Sequence, residues 1–514
     1  MHSFHRSLLT LLALLAIAFA PHGAPAQSQP ARAEQATPSK PPDGAQHAGP
    51  GVLRLLPPDA VSDKEIAVAG RSVAYTATAG TLSLFDQTGE RSAAVFYVAY
   101  VAKGGDTARR PVTFVFNGGP GAASTYLNLG LAGPRIVDFG PEGRDGAAAR
   151  MADNPDSWLD FTDLVMIDPI GTGWSRPAKP DGGNAFFGVD RDAEVLAKVV
   201  ALYVAKNSRA ASPKYLLGES YGGFRAAKVA RELQSDQGIV VTGIVMVSPL
   251  LESSFLWGSQ FALGAALQFP TIVATELDRT RTFTPAALAE AERFAMTDYL
   301  TTLAGAPPTG DKAKAFYARI AELTGLPVEA VAKARGFIRG AYLRNLRASG
   351  RRISPYDATF AIPDPFPEQA TRRGSDPILD GFTRALSGAF VGYARDELGF
   401  RTDMTYILLA HDISGKWKWG DRRSPPGVGD DLAELMALDP SFRLLVAHGR
   451  TDLVTPYGVS RYVLDHLPAA DTAKTDAPPR AQLKVYRGGH MFYFDRSSRQ
   501  AFTADAKAFY QIGP

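Results

Sequence analysis

The sequence predicts an α/β fold in which a mostly parallel central sheet is flanked by helices. Short apolar runs typical of buried strands alternate with helical segments, notably 189–208 and 224–234, and each run ends in a glycine-rich or polar turn. Strands that alternate with helices favour parallel pairing, because each helix returns the chain to the same end of the sheet. The predicted buried strands are 112–116, 164–167, 215–217, 239–247, 442–447 and 483–486.

Two further segments differ from this pattern. Residues 72–85 and 93–102 alternate β-branched and aromatic side chains around a polar turn at 86–89, which predicts an antiparallel pair before the parallel strands. Residues 252–399 contain long helical stretches, such as 285–305, 311–324 and 328–348, without buried-strand runs, so we expect a helical cap inserted into the sheet domain. The Pro-rich segment 353–367 within it predicts an extended crossing or a loop. The core domain would then comprise residues 59–251 and 400–514.

The first 26 residues have the pattern of a signal peptide. Arg6 precedes the apolar run 8–20, and small residues at 24–26 offer a cleavage site. A membrane anchor would need about 20 apolar residues, and Pro21 interrupts the run too early. We therefore expect an exported protein with no membrane span in the mature chain.

Residues 27–58 are rich in Pro, Ala, Gln and Gly and nearly lack aromatic side chains, which predicts a disordered tail. The sequence contains no cysteine, so its stability in an oxidising compartment would depend on core packing alone. Export without disulfides favours a bacterial periplasmic or secreted protein.

Composition also narrows the classes of function. The chain has 55 basic and 52 acidic residues and no long Lys/Arg block, so nucleic acid is not an expected partner. The absence of cysteine excludes a thiol nucleophile, a cysteine zinc site and iron–sulfur ligation. Without a His-Glu-x-x-His motif we expect no metal and no cofactor.

The most informative motif is Gly218-Glu219-Ser220-Tyr221-Gly222, which fits the G-x-S-x-G nucleophile elbow. It follows a predicted strand and precedes a predicted helix, as the elbow of an α/β-hydrolase does. Ser220 would then occupy a sharp turn whose glycines relieve crowding around the strained backbone. The alternative is an ordinary glycine-rich turn between a strand and a helix.

A serine hydroxyl is a weak nucleophile and needs a base. His466 falls within a predicted helix, and His411 and His448 come early for the chain order Ser, Asp or Glu, then His. His490 follows the predicted strand 483–486 in a glycine-containing loop, where side chains lie above the end of a sheet. We therefore predict His490 as the base; the remaining four histidines lie in the first 58 residues.

Asp452 is the predicted acid that orients His490, because it lies in the loop after the strand 442–447. It would keep one imidazole nitrogen protonated and stabilise the imidazolium that forms. The competing carboxylates are Asp465, on the same predicted helix as His466, and Asp495, only five residues after His490. Neither of them follows a predicted core strand.

Acyl transfer also needs N–H donors for the developing oxyanion. We predict the backbone N–H groups of Tyr221 and Gly119, since the loop 117–121 follows a strand and its glycines let the backbone approach a substrate. The rival interpretation, a phosphate-binding loop, lacks the Gly-Lys-Ser/Thr ending that such a loop requires.

Taken together, these motifs closely resemble the serine carboxypeptidase family, in that family's order. The resemblance spans about residues 112 to 495, and no family motif falls inside the helical insertion. The motifs are Asn117-Gly118-Gly119-Pro120-Gly121, Asn154-Pro155-Asp156-Ser157-Trp158, Pro169-Ile170-Gly171-Thr172-Gly173-Trp174-Ser175, Gly218-Glu219-Ser220-Tyr221-Gly222-Gly223, the Asp452 loop and Gly489-His490-Met491.

The resemblance implies an α/β-hydrolase with a helical cap that releases C-terminal residues from peptides. It implies a catalytic triad of Ser220, Asp452 and His490, with Gly119 and Tyr221 as oxyanion donors. It also implies that the peptide's terminal carboxylate is bound by three residues: Asn117, Gly118 and Glu219.

Glu219 suggests a particular pH dependence. A glutamate and a substrate carboxylate in one site cannot both be ionised cheaply, so we expect the pair to share a proton. Peptide cleavage should then be favoured at acidic pH, in opposition to the need for a neutral His490. The simpler alternative is that Glu219 faces solvent or pairs with a helix.

The sequence departs from the family pattern at three places. An ungapped alignment from Asn117 puts Leu131 where the family usually has a further Glu in the carboxylate site. The family's disulfides are absent, and residue 123 is Ala instead of a polar residue. The aromatic run 491–494 replaces the more usual Val-Pro after the histidine; it would line or support the cleft, or pack in the core.

Other functions fit the same residues. An exported esterase or acyltransferase would use the same elbow, oxyanion donors and triad. Hydrolases with aminopeptidase specificity have a similar glycine loop, but typically with His where Asn117 stands. A cleft that only binds peptides would have to keep a complete catalytic constellation unused.

Overall fold

Strands from both halves of the chain form one mixed sheet. The computed structural model describes residues 51–140, 146, 149–256, 261–348, 350–368, 376–420, 424–468 and 478–512. The strands within these residues are β1 (Ala60–Val68), β2 (Arg71–Phe85), β3 (Arg91–Ala102), β4 (Val112–Phe116), β5 (Arg135–Asp138), β6 (Arg150–Asp153), β7 (Asp163–Ile167), β8 (Arg176–Pro177), β9 (Lys214–Glu219), β10 (Gly243–Val247), β11 (Arg351–Ser354), β12 (Asp357–Pro363), β13 (Arg443–Gly449) and β14 (Ala481–Tyr486).

In this described part of the chain, ten strands form the sheet. The order is β1-β2-β3-β7-β4-β9-β10-β13-β14, with β8 paired to β3. Strands β1, β2 and β3 are antiparallel, and β3 pairs antiparallel to β7. From β7 to β14 all neighbours are parallel. The mostly parallel sheet predicted from the sequence is confirmed.

Helices flank this sheet and form the insertion. Their bounds are α1 (Thr125–Leu127), α2 (Val189–Lys206), α3 (Tyr221–Ser235), α4 (Ala262–Thr280), α5 (Pro285–Phe294), α6 (Leu300–Ala304), α7 (Gly310–Thr324), α8 (Val328–Lys333), α9 (Arg339–Ala348), α10 (Leu379–Asp396), α11 (His411–Lys416), α12 (Gly429–Leu438), α13 (Tyr457–Asp465) and α14 (Arg496–Gln511). No helix among the described residues combines the length and apolar character needed to cross a membrane.

The central strands are buried on both faces. Every residue of β4, β7 and β10 is buried, and these strands consist mainly of Val, Ile, Leu, Met and Phe. Side chains alternate along each strand: Leu217 and Val245 pack in one core cluster with Phe509 of α14. Leu216 and Ile244 point the other way, into a second cluster that includes residues of α2 and α3.

The parallel pairing aligns the carboxyl ends of the central strands. Phe116 at the end of β4 lies opposite Gly218, and Glu219 at the end of β9 lies opposite Val247. Val247 in turn lies opposite Ala447 of β13. Loops that leave these strands therefore meet at one edge of the sheet, where open α/β sheets bind their ligands.

Most helices of the insertion have their own core. The rings of Phe269 in α4 and Tyr299 pack together with their centroids 4.5 Å apart. Their cluster also contains Ile320 of α7 and Tyr342 of α9. Helix α10 differs, because Phe382, Leu386, Phe390 and Tyr393 join the core of the sheet domain. The last helix of the predicted cap segment thus packs on the sheet domain.

The structure corrects three details of the sequence prediction. The predicted helix 328–348 is two helices, α8 and α9, separated by Arg335 and Gly336 with φ of 51° and 84°. The Pro-rich segment predicted as a crossing or loop contains the antiparallel hairpin β11–β12. Residues 239–242 precede β10 instead of extending it.

The predicted N-terminal tail ends earlier than residue 58. Residues Gly51–Leu55 form a 3-10 helix in which Leu53 is completely buried in the sheet domain's core. Leu56 is buried in the same cluster, so apolar side chains anchor this stretch. The predicted signal peptide, 1–26, and the rest of the tail lie outside the described residues.

Candidate active site

Ser220 occupies the turn between β9 and α3. Its backbone has φ 60° and ψ −125°, a strained conformation for a residue other than glycine. A Cβ on Gly218 would lie 2.0 Å from the Gly222 carbonyl oxygen, and one on Gly222 would lie 2.5 Å from the Phe116 carbonyl oxygen. The turn therefore needs glycine at both positions, and it leaves the Ser220 side chain partly exposed above the sheet.

His490 and Asp452 form a buried hydrogen-bonded pair. Nδ1 of His490 lies 2.7 Å from Oδ2 of Asp452, and the two side chains are 4% and 0% exposed. The carboxylate is held in place by N–H groups of Val454 and Thr455 at 2.8 and 3.1 Å and by the Thr455 hydroxyl at 2.7 Å. The second oxygen of the carboxylate is thus fixed toward the imidazole.

Asp452 and His490 shift each other's pKa values. Burial opposes ionisation of Asp452, but the His490 charge and its hydrogen bond outweigh burial and hold the Asp452 pKa below its usual value. For His490 burial works to lower the pKa, and the Asp452 carboxylate more than offsets it, so the pKa is raised. This arrangement stabilises an imidazolium.

Backbone contacts bring the Ser220 turn and the His490 loop together. The Ser220 N–H donates to the Val247 carbonyl at 2.9 Å, and the hydroxyl of the next residue, Ser248, donates to the His490 carbonyl at 2.8 Å. Because Nδ1 of His490 is engaged by Asp452, the nitrogen available to accept a proton from a serine hydroxyl is Nε2.

The two predicted oxyanion donors lie in adjacent segments. A Cβ on Gly118 would be 2.6 Å from the Tyr221 nitrogen, so the loop after β4 contacts the first turn of α3. Gly119 has φ of 100°, which only glycine adopts easily, and it is exposed. Tyr221 begins α3, where the N–H groups have no acceptor within the helix.

Glu219 lies beneath this loop and is 3% exposed. Asn117 Nδ2 donates to Glu219 Oε2 at 2.6 Å, and the Tyr493 hydroxyl donates to the same oxygen at 2.8 Å. Burial raises the pKa of Glu219 to about 7, although the His490 charge and the two hydrogen bonds lower it. Near neutral pH a proton on this carboxyl group can therefore donate to a ligand.

Tyr493 belongs to the aromatic run 491–494, for which the sequence left open a place at the cleft or in the core; its bond to Glu219 was not predicted. It is completely buried, and a Cβ on Gly130 would lie 2.7 Å from its Cε2 atom, so the missing side chain at 130 makes room for the ring. The neighbouring Leu131 is also fully buried. The aromatic run after His490 was the sequence signal, but it did not separate a residue of the cleft from a residue of the core.

Arg225 of α3 is a buried residue that contacts the residues beside the site. It donates from Nε to Asp192 Oδ2 at 2.6 Å, and its guanidinium lies 5.0 Å from the centre of the Tyr221 ring. It also donates to the carbonyl oxygen of Asn117. This buried ion pair orients the start of the loop that contains Gly118 and Gly119.

The turn of the β11–β12 hairpin contacts the loop that contains Asp452 and the loop that contains His490. The His490 N–H donates to the Tyr356 carbonyl at 2.5 Å, and the Leu453 N–H donates to the Pro355 carbonyl at 2.9 Å. The Thr451 hydroxyl donates to Asp357 at 2.9 Å. In addition the ring of Tyr356 lies edge-to-face on the imidazole of His490, with centroids 5.3 Å apart. The insertion therefore supports the Asp452 loop and the His490 loop by direct contacts.

The other histidines and aspartates considered for the triad make different contacts. His448 is completely buried, bonds Ser460 at 2.8 Å and has its pKa lowered to about 4 by burial. His466 and Asp465 are exposed at the end of α13, and Asp495 caps α14 by accepting from the Ser498 N–H at 2.9 Å. The described residues contain no group of three or more His, Asp and Glu that could hold a metal ion.

Comparison with known proteins identifies one family. The serine carboxypeptidase family matches residues 73–253, which include the Asn117 loop and the Ser220 elbow. No curated protein matches the chain.

Several solved structures resemble the chain at low sequence identity. A proline iminopeptidase from Mycobacterium smegmatis is 14% identical, with 88% of this chain and 98% of that chain covered and a TM-score of 0.35. A thermophilic esterase from Thermogutta terrifontis is also 14% identical, with 85% and 99% covered and a TM-score of 0.35. A monoglyceride lipase from Saccharomyces cerevisiae is 11% identical, with 84% and 94% covered and a TM-score of 0.36.

The family match agrees with the sheet order and with the elbow at the carboxyl end of β9. The resemblance predicted from the sequence motifs is thus confirmed. The chain has an α/β-hydrolase fold, and its residues 73–253 are similar to the serine carboxypeptidase family.

Proposed function

We propose that the chain is a serine-type carboxypeptidase that hydrolyses the last peptide bond of a peptide through an acyl-enzyme. The observation that supports this reaction most directly is Glu219, a buried carboxyl group with a pKa of about 7 one residue before the nucleophile. A protonated carboxyl group can donate a hydrogen bond to a carboxylate, whereas an ionised one repels it. A site of this kind favours a substrate with a free C-terminus.

The acylation step would use the proposed triad. Ser220 Oγ attacks the carbonyl carbon of the scissile bond while Nε2 of His490 takes its proton, and Asp452 stabilises the resulting imidazolium. The N–H groups of Gly119 and Tyr221 donate to the oxyanion of the tetrahedral intermediate. His490 then returns the proton to the leaving nitrogen as the C–N bond breaks, which releases the C-terminal amino acid.

Deacylation reverses the roles. Water donates a proton to His490 and attacks the acyl ester of Ser220, and His490 then returns the proton to the serine oxygen as the ester bond breaks. During acylation Asn117, Gly118 and Glu219 would bind the terminal carboxylate, which then leaves with the released amino acid. Asn117 and Tyr493 hold Glu219 by its Oε2 atom, so the proton needed for recognition is placed on Oε1.

The two titrating groups predict an unusual pH profile. His490 must be neutral, which requires a pH above its raised pKa, while Glu219 must be protonated, which requires a pH below about 7. Since the two groups interact electrostatically, the profile reports their combined titration. Activity on a free-acid peptide should fall on both sides of a narrow maximum.

The test compares three substrates with the same acyl part: an N-blocked dipeptide with a free carboxylate, its C-terminal amide and an ester. We expect preference for the free acid near and below neutral pH, with an alkaline decrease that the amide and ester lack. Turnover should disappear in Ser220→Ala and persist in Ser235→Ala, an exposed serine at the end of α3. Serine-dependent cleavage of the ester alone would instead identify an esterase or acyltransferase.

We also propose that the protein is exported, on the strength of the signal-peptide pattern in residues 1–26. N-terminal sequencing of the protein purified from the periplasm or the medium should then begin near residue 27. Recovery of a chain that still begins with Met1 would contradict export with cleavage.

A further inference from the structure

A cavity of about 770 Å³ lies beside the triad. Its walls include Thr451, which precedes Asp452, and Gly489 and Met491, which flank His490. The other walls come from the end of α4, the β11–β12 turn and the start of α10. The volume is large enough to hold an amino acid side chain.

This cavity adjoins the proposed carboxylate site. Tyr356, one of its lining residues, contacts the His490 imidazole. Two further lining residues, Phe492 and Phe494, contact the ring of Tyr493, with centroids 6.1 and 4.8 Å away. Tyr493 in turn donates to Glu219.

The acidic residues of the cavity wall are engaged within the protein. Asp278 accepts two hydrogen bonds from Arg450 at 2.7 and 2.8 Å. Asp357 accepts from the Thr451 hydroxyl, and Asp495 caps α14. Asp278 is thus neutralised by a close ion pair, whereas the N–H and hydroxyl donors to Asp495 leave that carboxylate charged.

Two arginines of the same wall are not neutralised in this way. Arg281 is exposed, follows α4 in a left-handed conformation with φ of 59°, and has no ion-pair partner among the residues the structure describes. Arg487 is 67% exposed and lies 3.9 Å from Asp495, whose carboxylate already caps a helix. With four arginines and three aspartates in its lining, the cavity has a formal net charge of +1.

We propose that the cavity receives the side chain of the substrate's C-terminal residue, and that Arg281 and Arg487 select an acidic side chain there. This inference is based on the proposed carboxypeptidase function and adds a substrate class to it: peptides that end in Glu or Asp. The leaving residue carries the terminal carboxylate, so its side chain starts beside Glu219 and Tyr493, next to the cavity. A charge pair about 4 Å apart in water changes affinity about fivefold.

The test measures kcat/KM for three N-blocked dipeptides that share the acyl residue and end in Glu, Gln or Lys. We expect the Glu peptide to exceed the Gln peptide about fivefold and the Lys peptide by more. Raising the salt concentration should reduce this preference, because exposed charges are screened. Gln is the matched neutral form of Glu, so the ratio isolates charge from shape.

Variants then locate the preference. Arg281→Gln and Arg487→Gln should each lower the Glu-to-Gln ratio, and the double variant should bring it to about one. Arg293→Gln is the matched control, since Arg293 is exposed on α5, does not line the cavity and has no ion pair among the described residues.

The outcomes separate this inference from the proposed function. Serine-dependent cleavage of all three peptides at equal rates, or a ratio unchanged in the double variant, would overturn the acidic preference and leave the carboxypeptidase intact. Failure to cleave any free-acid peptide would overturn both.

Discussion

Replacing Tyr493 by Phe should shift the pH at which free-acid peptides stop being cleaved. The hydroxyl of Tyr493 is one of two donors to Glu219 Oε2, at 2.8 Å, inside a fully buried site. Its hydrogen bond favours the ionised carboxylate over the neutral acid. Removing it therefore raises the pKa of Glu219 above its present value of about 7.

The size of the shift follows from the strength of the bond. A hydrogen bond to a charged group contributes about 1.5 to 3 kcal/mol, and about 1.4 kcal/mol changes proton affinity tenfold. The remaining donor, Asn117, can strengthen its own bond when Tyr493 is lost, which favours the lower part of this range. We expect the alkaline midpoint to move from near 7 to about 8 in Tyr493→Phe.

The assay is kcat/KM between pH 5 and 9 for a free-acid dipeptide and its C-terminal amide. Only the free acid should show the shifted alkaline limb, because the amide does not need a proton on Glu219. Tyr299→Phe is the matched control: its hydroxyl is also buried, and it donates to the Gly336 carbonyl in the core of the insertion. An unchanged midpoint in Tyr493→Phe, or an equal shift in Tyr299→Phe, would refute the reasoning.

Three more predictions concern stability and catalysis. Glu219→Gln should stabilise the protein at pH 8 by about 3 kcal/mol, because folding raises the pKa of Glu219 from 4.5 to about 7 and the ionised carboxylate therefore destabilises the folded state. The variant should raise Tm at pH 8 and leave it unchanged at pH 4, where Glu219 is protonated in both states. An equal Tm change at both pH values would contradict this. Asp452→Asn should lower kcat about 10⁴-fold with little change in KM, since the amide would impose the wrong tautomer on His490; a drop below tenfold in steady-state kinetics would argue against the pair. Asp357→Ala should lower kcat several-fold and shift the acid limb of the pH profile. Thr451→Val removes the same hydrogen bond from its other side and should have the same effect. A lower Tm with unchanged kcat in both variants would show a purely structural role.

Local patterns in the sequence predicted most of the sheet. The strand predicted at 112–116 coincides with β4, and the predicted 164–167, 215–217 and 483–486 lie within β7, β9 and β14. Strands β4, β7 and β9 are buried on both faces and therefore have continuous apolar runs, whereas β14 at the sheet edge is mostly half-buried and contains Lys484. The elbow was equally visible, since Gly218 and Gly222 are required by close backbone contacts within a few residues and with the adjacent strand.

What the sequence did not reveal depends on contacts between distant residues. The bond between Tyr493 and Glu219 spans 274 positions, and nothing near Tyr493 distinguishes it from a core tyrosine. The β11–β12 hairpin was missed because a Pro-rich segment lacks the alternation of a typical strand pair, and its turn is held by loops far along the chain. Two consecutive left-handed residues, Arg335 and Gly336, divide a segment whose helical periodicity continues through them.

The hairpin turn at Tyr356 has a consequence for how such enzymes can be recombined. A cap that only covered a cleft could be exchanged between relatives as a module, with its junctions placed at the ends of the insertion. Here the backbone of Tyr356 and Pro355 hydrogen-bonds directly to the loops of His490 and Asp452. A chimera that replaced the insertion would thereby replace part of the support of its own catalytic base, so a foreign cap would need an equivalent turn to remain active.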